Sequence, residues 1–367
     1  MRYHSPMPLD HFVTLGRSGL RVSPLCLGAM TFGEEWGFGS TPAESEDVLS
    51  RYASAGGNFI DTANVYTRGH SEKIVGDWLK KKVSRRDRMV VATKFFGSLY
   101  PGDPNAGGAG RKSVLAACEQ SLRRLQTDYI DLYWLHCWDH LTPIEETMRA
   151  LDDLVRAGKV RYIGFSDTPA WKCAQAQVLA AWKGWSPLAA LQIEYSLLER
   201  TVEGELIPMA LEFGLGVTPW SPLKSGALSG KYTRANHGKV DAKRGAWVLS
   251  ALDERAYAVI DILVQAGKDL GVSPAQAALA WVQGRPGVTS SIIGARTAAQ
   301  LEDNVKALEV RLSSAQTAAL DEASKPKLDF PYAFVQSSGP FRSAGTVING
   351  AANAANPLAP KTEAEVF

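Results

Sequence analysis

Little in this chain is extreme, and what it lacks narrows it quickly. Its 367 residues include four cysteines, at positions Cys26, Cys118, Cys137 and Cys173. None stands in a C-x-x-C pair and all sit inside apolar patterns, which argues against a disulfide framework or a thiolate metal site. Reduced, buried thiols are expected. Charge of one sign is missing too. The formal net charge is +2 with basic and acidic residues mixed, so there is no electrostatic footprint for nucleic acid. No apolar run is long enough to span a bilayer, and the opening MRYHSPMPLDHF lacks the apolar core of a signal peptide. The expectation is a cytoplasmic protein that engages neither membrane nor nucleic acid. A glycine fingerprint is absent as well: GAMTFG at Gly28–Gly33 is not GxGxxG, and it lacks the Lys-Ser/Thr of a phosphate loop.

What is present is apolar and periodic. At 45% hydrophobic over 367 residues, the chain can bury one large α/β barrel or two smaller domains. The run DLYWLHCW at Asp131–Trp138 is apolar without alternation, as in a strand buried on both faces. It belongs to one of eight such runs, which begin near Leu25, Asn58, Met89, Tyr129, Val160, Ala189, Gly216 and Thr289. Between them lie segments of helical period at 44–55, 71–82, 111–125, 143–157, 169–183, 202–213 and 253–283, with another at 297–308. Strict β-then-α alternation predicts a parallel sheet, and eight units predict a closed (β/α)8 barrel. A short β-hairpin is expected over residues 12–24. The interval Leu223–Ser250, rich in Gly, Ser, Lys and Arg, reads as an excursion over the barrel top. The barrel is expected to fill residues 1–324. Residues 325–367 are expected to form an extension, mobile or extended where Gly, Ala, Asn and Pro dominate.

Chemistry is expected where buried parallel strands end. Strand two ends in Asp61, with Tyr66 five residues on; strand three ends in Lys94 and strand four in His136. Taken singly, an Asp caps a loop, a Lys reaches solvent, a Tyr packs and a His is a satisfied core residue. At neighbouring strand tops the four make a general-acid assembly: the ammonium lowers the tyrosine pKa, the carboxylate holds the ammonium, and the imidazole orients a carbonyl oxygen. His136 and His140 would need a helix to share a metal, where strand and turn are read, so no metal is expected. A metal-assisted lyase or epimerase would want a carboxylate cluster at the strand ends, and none is evident.

The chain resembles the aldo-keto reductases from about Leu15 to Leu320. The resemblance rests on LGRSGLRVSPLCLGAMTFG, NFIDTANVYTRGHSEKIVG, VVATK, DYIDLYWLH, GKVRYIGFS, LQIEYSLLER, TPWSPLKSGALSGKY and IIGARTAAQLEDN, in that order. It implies a (β/α)8 barrel, a catalytic tetrad of Asp61, Tyr66, Lys94 and His136, and NADPH as cofactor. It also implies that Ser166 and Gln192 hold the carboxamide and that Trp220 stacks on the nicotinamide. Ser221, Leu223 and Gly226 would cradle the pyrophosphate with Lys231 nearby. Gly294, Arg296, Gln300 and Asn304 would clasp the adenosine end, Arg296 taking the 2′-phosphate. One departure stands out: many relatives have Asn where this chain has Asp167, and a carboxylate accepts but cannot donate to a carboxamide. Some members of the broad family serve as channel-associated or regulatory subunits, which leaves a non-catalytic NADP(H)-binding role as the alternative. For substrate, Trp36, Phe38, Tyr100, Trp138 and Trp247 lie on rim loops that would line a pocket with Tyr66 and His136. They suit a bulky, mostly apolar ketone or aldehyde, with sugars and small aldehydes also open. A monomer and a homo-oligomer are equally compatible with the sequence.

Overall fold

The computed structural model describes residues 8–81, 86–236, 248, 252–343 and 345–366. The chain separates into two compact units, Met1–Lys325 and Pro326–Phe367.

In the first unit, eight short strands form one parallel sheet: β3 (Leu25–Gly28), β4 (Phe59–Asp61), β5 (Val90–Phe95), β6 (Ile130–Leu135), β7 (Val160–Ser166), β8 (Leu188–Glu194), β9 (Gly216–Trp220) and β10 (Ser291–Gly294). Strands β3 to β9 pair in sequence order, and β10 returns to pair with β3. A bridge from Val217 to Val288 brings β9 to the lead-in of β10, so the sheet curls into a (β/α)8 barrel. The apolar runs form strands here because both faces are covered. Cys26, Phe59, Ala92, Leu132 and Trp134 fill the interior. Leu27, Ile60, Val91, Tyr133 and Leu135 point outward to the helices. Complete burial of side chains of this size stabilises the fold by roughly 1.5–3 kcal/mol each. The antiparallel hairpin of β1 (Val13–Thr14) and β2 (Arg21–Val22) lies at the N-terminal strand ends. There Leu15 and Val22 join the interior cluster, and Arg17 N–H donates to Gly214 O at 2.7 Å. Active chemistry is left to the opposite rim.

Six helices alternate with the first strands: α1 (Pro42–Ser54), α2 (His70–Lys80), α3 (Arg111–Leu125), α4 (Ile144–Arg156), α5 (Ala170–Lys183) and α6 (Leu206–Phe213). The periodic stretch 202–213 is therefore mostly α6, preceded by a 3-10 turn at Thr201–Glu203. The stretch read as one segment over 253–283 is two helices, α7 (Glu254–Leu270) and α8 (Pro274–Gln283). Gly271 takes a left-handed φ of 67° and ends α7, while Ser273 and Gln276 form a capping box that starts α8. Replacing Ser273 by alanine should cost about 1 kcal/mol in denaturant unfolding, because it orphans the Gln276 amide. After β10 come α9 (Ala298–Val305) and α10 (Ser314–Ala323). α10 falls outside the periodic segments expected from the sequence, although Ser313 and Gln316 spell the same capping box.

The second unit is not devoid of helix as its composition suggested. It carries α11 (Tyr332–Ser337), α12 (Gly339–Ser343) and a small hairpin pairing Val347–Ile348 with Ala351–Ala352. Three cysteines are buried as expected, but Cys137 is exposed because it lies two residues past the end of β6, on the rim.

Candidate active site

Four side chains meet where neighbouring strands end. Asp61 is the last residue of β4, Lys94 the penultimate residue of β5, and His136 the first residue after β6. Tyr66 opens a 3-10 turn whose next residues, Thr67 and Arg68, take left-handed φ values of 45° and 59°. Such non-glycine conformations cost of order 1–3 kcal/mol each and persist only when other contacts impose them. Thr67 supplies two: its Oγ1 donates to Phe32 O at 2.7 Å and accepts from Ser71 N–H at 3.0 Å.

The Lys94 ammonium is wholly buried. It pairs with Asp61 Oδ2, donates to Thr62 O at 2.8 Å, and sits 4.8 Å from the centre of the Tyr66 ring. Gln192 Nε2 donates to the other Asp61 oxygen at 2.9 Å. Burial alone would push the Lys94 pKa down, but Asp61 and Tyr66 outweigh it and hold the ammonium charged. The His136 ring stands edge-on to Tyr66, centroids 5.6 Å apart at 80°. Burial, reinforced by Lys94, depresses the imidazole to about 3, so it is neutral. Tyr66 departs from the sequence expectation. Burial raises its pKa, Asp61 adds to the rise, and the lowering influence of Lys94 only partly offsets them. The phenol is therefore a well-protonated donor in this structure.

Above these groups opens a cavity of about 580 Å³. Asp61, Tyr66 and His136 line it, with Ser166, Gln192 and Trp220 from the tops of β7, β8 and β9. Ser221, Leu223, Gly226 and Lys231 line it from the segment after β9. Gly294, Arg296, Gln300 and Asn304 line it from the end of β10, the loop that follows and α9. Lys94 lies beneath its floor. The excursion is tightly coiled, with left-handed φ at Ser221, Lys224, Ser225 and Gly226. It is tied down by Lys224 Nζ to Glu194 Oε1 at 2.7 Å. At Gly226 an added Cβ would meet nothing within 4 Å, so glycine serves its φ of 104° there. Gln300 Oε1 accepts from Arg296 N–H at 2.9 Å, and Asn304 Nδ2 donates to Gly294 O at 3.1 Å. Both therefore brace the loop that presents Arg296.

The sequence reading missed Met30, Thr31, Ser229, Tyr232 and Ala295, which also line the cavity. Met30 and Thr31 follow the first barrel strand, so the strand-end rule pointed to them. Neither Trp36 nor Trp138 lines this cavity. Trp36 stands edge-on to Tyr66 at 6.1 Å, and Trp138 lies under Lys172 at 4.9 Å. Phe38 tilts against Trp36 at 5.9 Å. Tyr100 belongs to a separate surface depression with Arg68, and Trp247 lies outside the described residues. Asp167, whose φ is 38°, accepts from the Trp220 indole N–H at 2.9 Å. Its carboxylate thus steadies the indole. Burial raises the Asp167 pKa despite that hydrogen bond.

The walls suit a nucleotide. Among the described residues, Thr31 Oγ1 and Ser229 Oγ are buried at the cavity without a hydrogen-bond partner, a state that native structures normally resolve with a bound water or ligand group. Among the described residues, neither Lys231 nor Arg296 pairs with a carboxylate, which leaves both free for an anion. Residues 24–325 match the model of the Aldo/keto reductase family. The chain belongs to that family. This aldo/keto reductase is 40% identical over 310 residues to the Bacillus subtilis (strain 168) protein named uncharacterized oxidoreductase YrpG, covering 82% of this chain and 92% of that one. It is 37% identical over 334 residues to norsolorinic acid reductase stcV of Emericella nidulans, covering 89% and 84%. It is also 34% identical over 332 residues to an aryl-alcohol dehydrogenase [NADP(+)] of Phanerodontia chrysosporium, covering 86% of each. The family and its relatives make this chain an oxidoreductase.

Proposed function

We propose that this aldo/keto reductase reduces an aromatic ketone or aldehyde to the alcohol with NADPH, and that Tyr66 is the general acid. The observation that carries the reading is the buried Lys94–Asp61 pair beneath Tyr66, with neutral His136 edge-on beside it. NADPH, when bound, supplies the hydride to the carbonyl carbon. The chain's own groups do the rest. Neutral His136 donates a hydrogen bond that orients the carbonyl oxygen. Tyr66 passes its phenolic proton to that oxygen as negative charge develops on it. Lys94 then stabilises the phenolate left behind, and Asp61 with Gln192 keeps the ammonium in place. The nucleotide would be held by Ser166, Gln192 and Trp220 at the reacting end, by the Ser221–Lys231 segment along its phosphates, and by Arg296 at the far end. The names of the aryl-alcohol and norsolorinic acid relatives, together with Trp36 beside Tyr66, favour aromatic carbonyls over sugars.

The reading is tested by titrating the protein with NADPH and with NADH while following tryptophan fluorescence. Tight binding with a large NADPH preference is expected. Replacing Arg296 by alanine should remove a charge-assisted contact and weaken NADPH by about 10- to 100-fold, with NADH little changed. An equal loss on both cofactors would refute the 2′-phosphate assignment.

A further inference from the structure

The loop 33–39 leaves the barrel after β3, carries Trp36 and Phe38, and returns at Ser40. Its neck is pinched: Gly33 N–H donates to Ser40 O at 2.9 Å, and Ser40 N–H donates to Thr31 O at 2.8 Å. The two crossing strands touch so closely that a Cβ on Gly39 would lie 1.7 Å from Gly33 O, and Gly33 itself has a φ of 100°. Only glycine allows this closure. The neck is also fastened to the segment bearing Tyr66, through Thr67 Oγ1 donating to Phe32 O.

The tip has its own fastener. His70, the first residue of α2, places Nδ1 2.5 Å from Glu35 Oε1. An ionised carboxylate only accepts, so the proton of this contact lies on Nδ1. Burial alone would raise the Glu35 pKa, but hydrogen bonds and the charges of His70 and Arg68 hold it below the usual carboxylate range. Among the described residues, the Trp36 indole nitrogen has no hydrogen-bond partner. Its orientation therefore comes from ring contacts and from where the tip backbone is held. Both ends of the Glu35–His70 contact flank the pair that matters: Glu35 precedes Trp36, and His70 lies four residues after Tyr66.

We propose that Trp36 is a substrate-selecting wall for flat aromatic carbonyls and that Glu35–His70 is the clasp that positions it against Tyr66. The proposal rests on the carbonyl-reductase reading. A planar aryl ring lies against Trp36 while its carbonyl oxygen reaches Tyr66 and His136; a short aliphatic carbonyl does not extend to the indole. Glu35 and His70 touch neither substrate nor cofactor and act as positioning residues.

The test compares benzaldehyde with propanal. Replacing Trp36 by alanine should raise the benzaldehyde KM about five-fold, the scale of one lost aromatic pair. Glu35→Ala should reproduce that rise with kcat nearly intact and the propanal KM unmoved. The double variant should be no worse than Trp36→Ala alone, since the clasp acts only through the indole. Glu35→Gln keeps an acceptor for the His70 N–H and should stay close to wild type. Equal rises for both aldehydes, or effects that multiply in the double variant, would overturn the clasp. A second readout needs no turnover: acrylamide quenching of the fluorescence component lost in Trp36→Phe should increase in the Glu35→Ala background. No change there also overturns it. Failure of the wild type to reduce any carbonyl, with quenching as expected, would instead count against the carbonyl-reductase reading.

Discussion

Replacing Tyr66 by phenylalanine should lower kcat for carbonyl reduction by about 10²- to 10⁴-fold, the usual contribution of a positioned proton donor. The affinity for NADPH should hardly change, because the ring and its contacts with Trp36 and His136 remain. Single-turnover kinetics alongside a fluorescence titration would separate the two effects. Retained turnover would remove Tyr66 from its role. The pH behaviour follows from the same site. Burial raises the Tyr66 pKa and depresses that of His136 to about 3. Across neutrality both groups hold one proton state, phenol and neutral imidazole. Reduction should therefore be nearly flat with pH between about 6 and 9, and fall only as the phenol ionises above its ordinary value near 10. Alcohol oxidation needs the phenolate and should rise over the range where reduction falls.

Replacing Lys94 by methionine should have the largest effect on the fold as well as on turnover. The ammonium is wholly buried against Asp61. Removing it strands a carboxylate away from water, which costs about 3–5 kcal/mol. For a chain of 367 residues that corresponds to a drop in Tm of roughly 4–7 °C. Thermal unfolding of the variant checks it, and a drop of only a degree or two would mean the pair is not desolvated as described. Adding Asp61→Asn to Lys94→Met removes the stranded charge and leaves an oxygen to accept from Gln192 Nε2. Stability should recover substantially in the double variant while reductase activity does not, because nothing is left to stabilise a phenolate on Tyr66. Recovery of both would show that the pair serves the fold alone.

Much of this was legible along the chain, and the exceptions have a common cause. The strands around Asp61, Lys94 and His136 announced themselves because a two-face-buried strand must be continuously apolar, and the barrel followed from eight repeats of one unit. Two helix boundaries are marked locally. Gly271 with Ser273-Pro274 marks the break between α7 and α8, and Ser313 with Gln316 starts α10. By contrast, nothing near Tyr66 in sequence tells how deeply it is buried, so the direction of its pKa shift was read from Lys94 alone and came out reversed. Trp36 stands against Tyr66 beside the main cavity, where a substrate ring rather than the cofactor would meet it.

What the sequence determined by itself is the fold and the identity of the four groups at the strand tops. Apolar periodicity, helix caps and strand ends are properties of neighbours in the chain. Tertiary structure alone decided the balance of desolvation against charge at Tyr66 and the hold of Asp167 on the Trp220 indole. It also decided the contact between Glu35 and His70. Each of these joins residues tens of positions apart, and each depends on which strands and loops the closed barrel makes adjacent and on how much water that closure excludes.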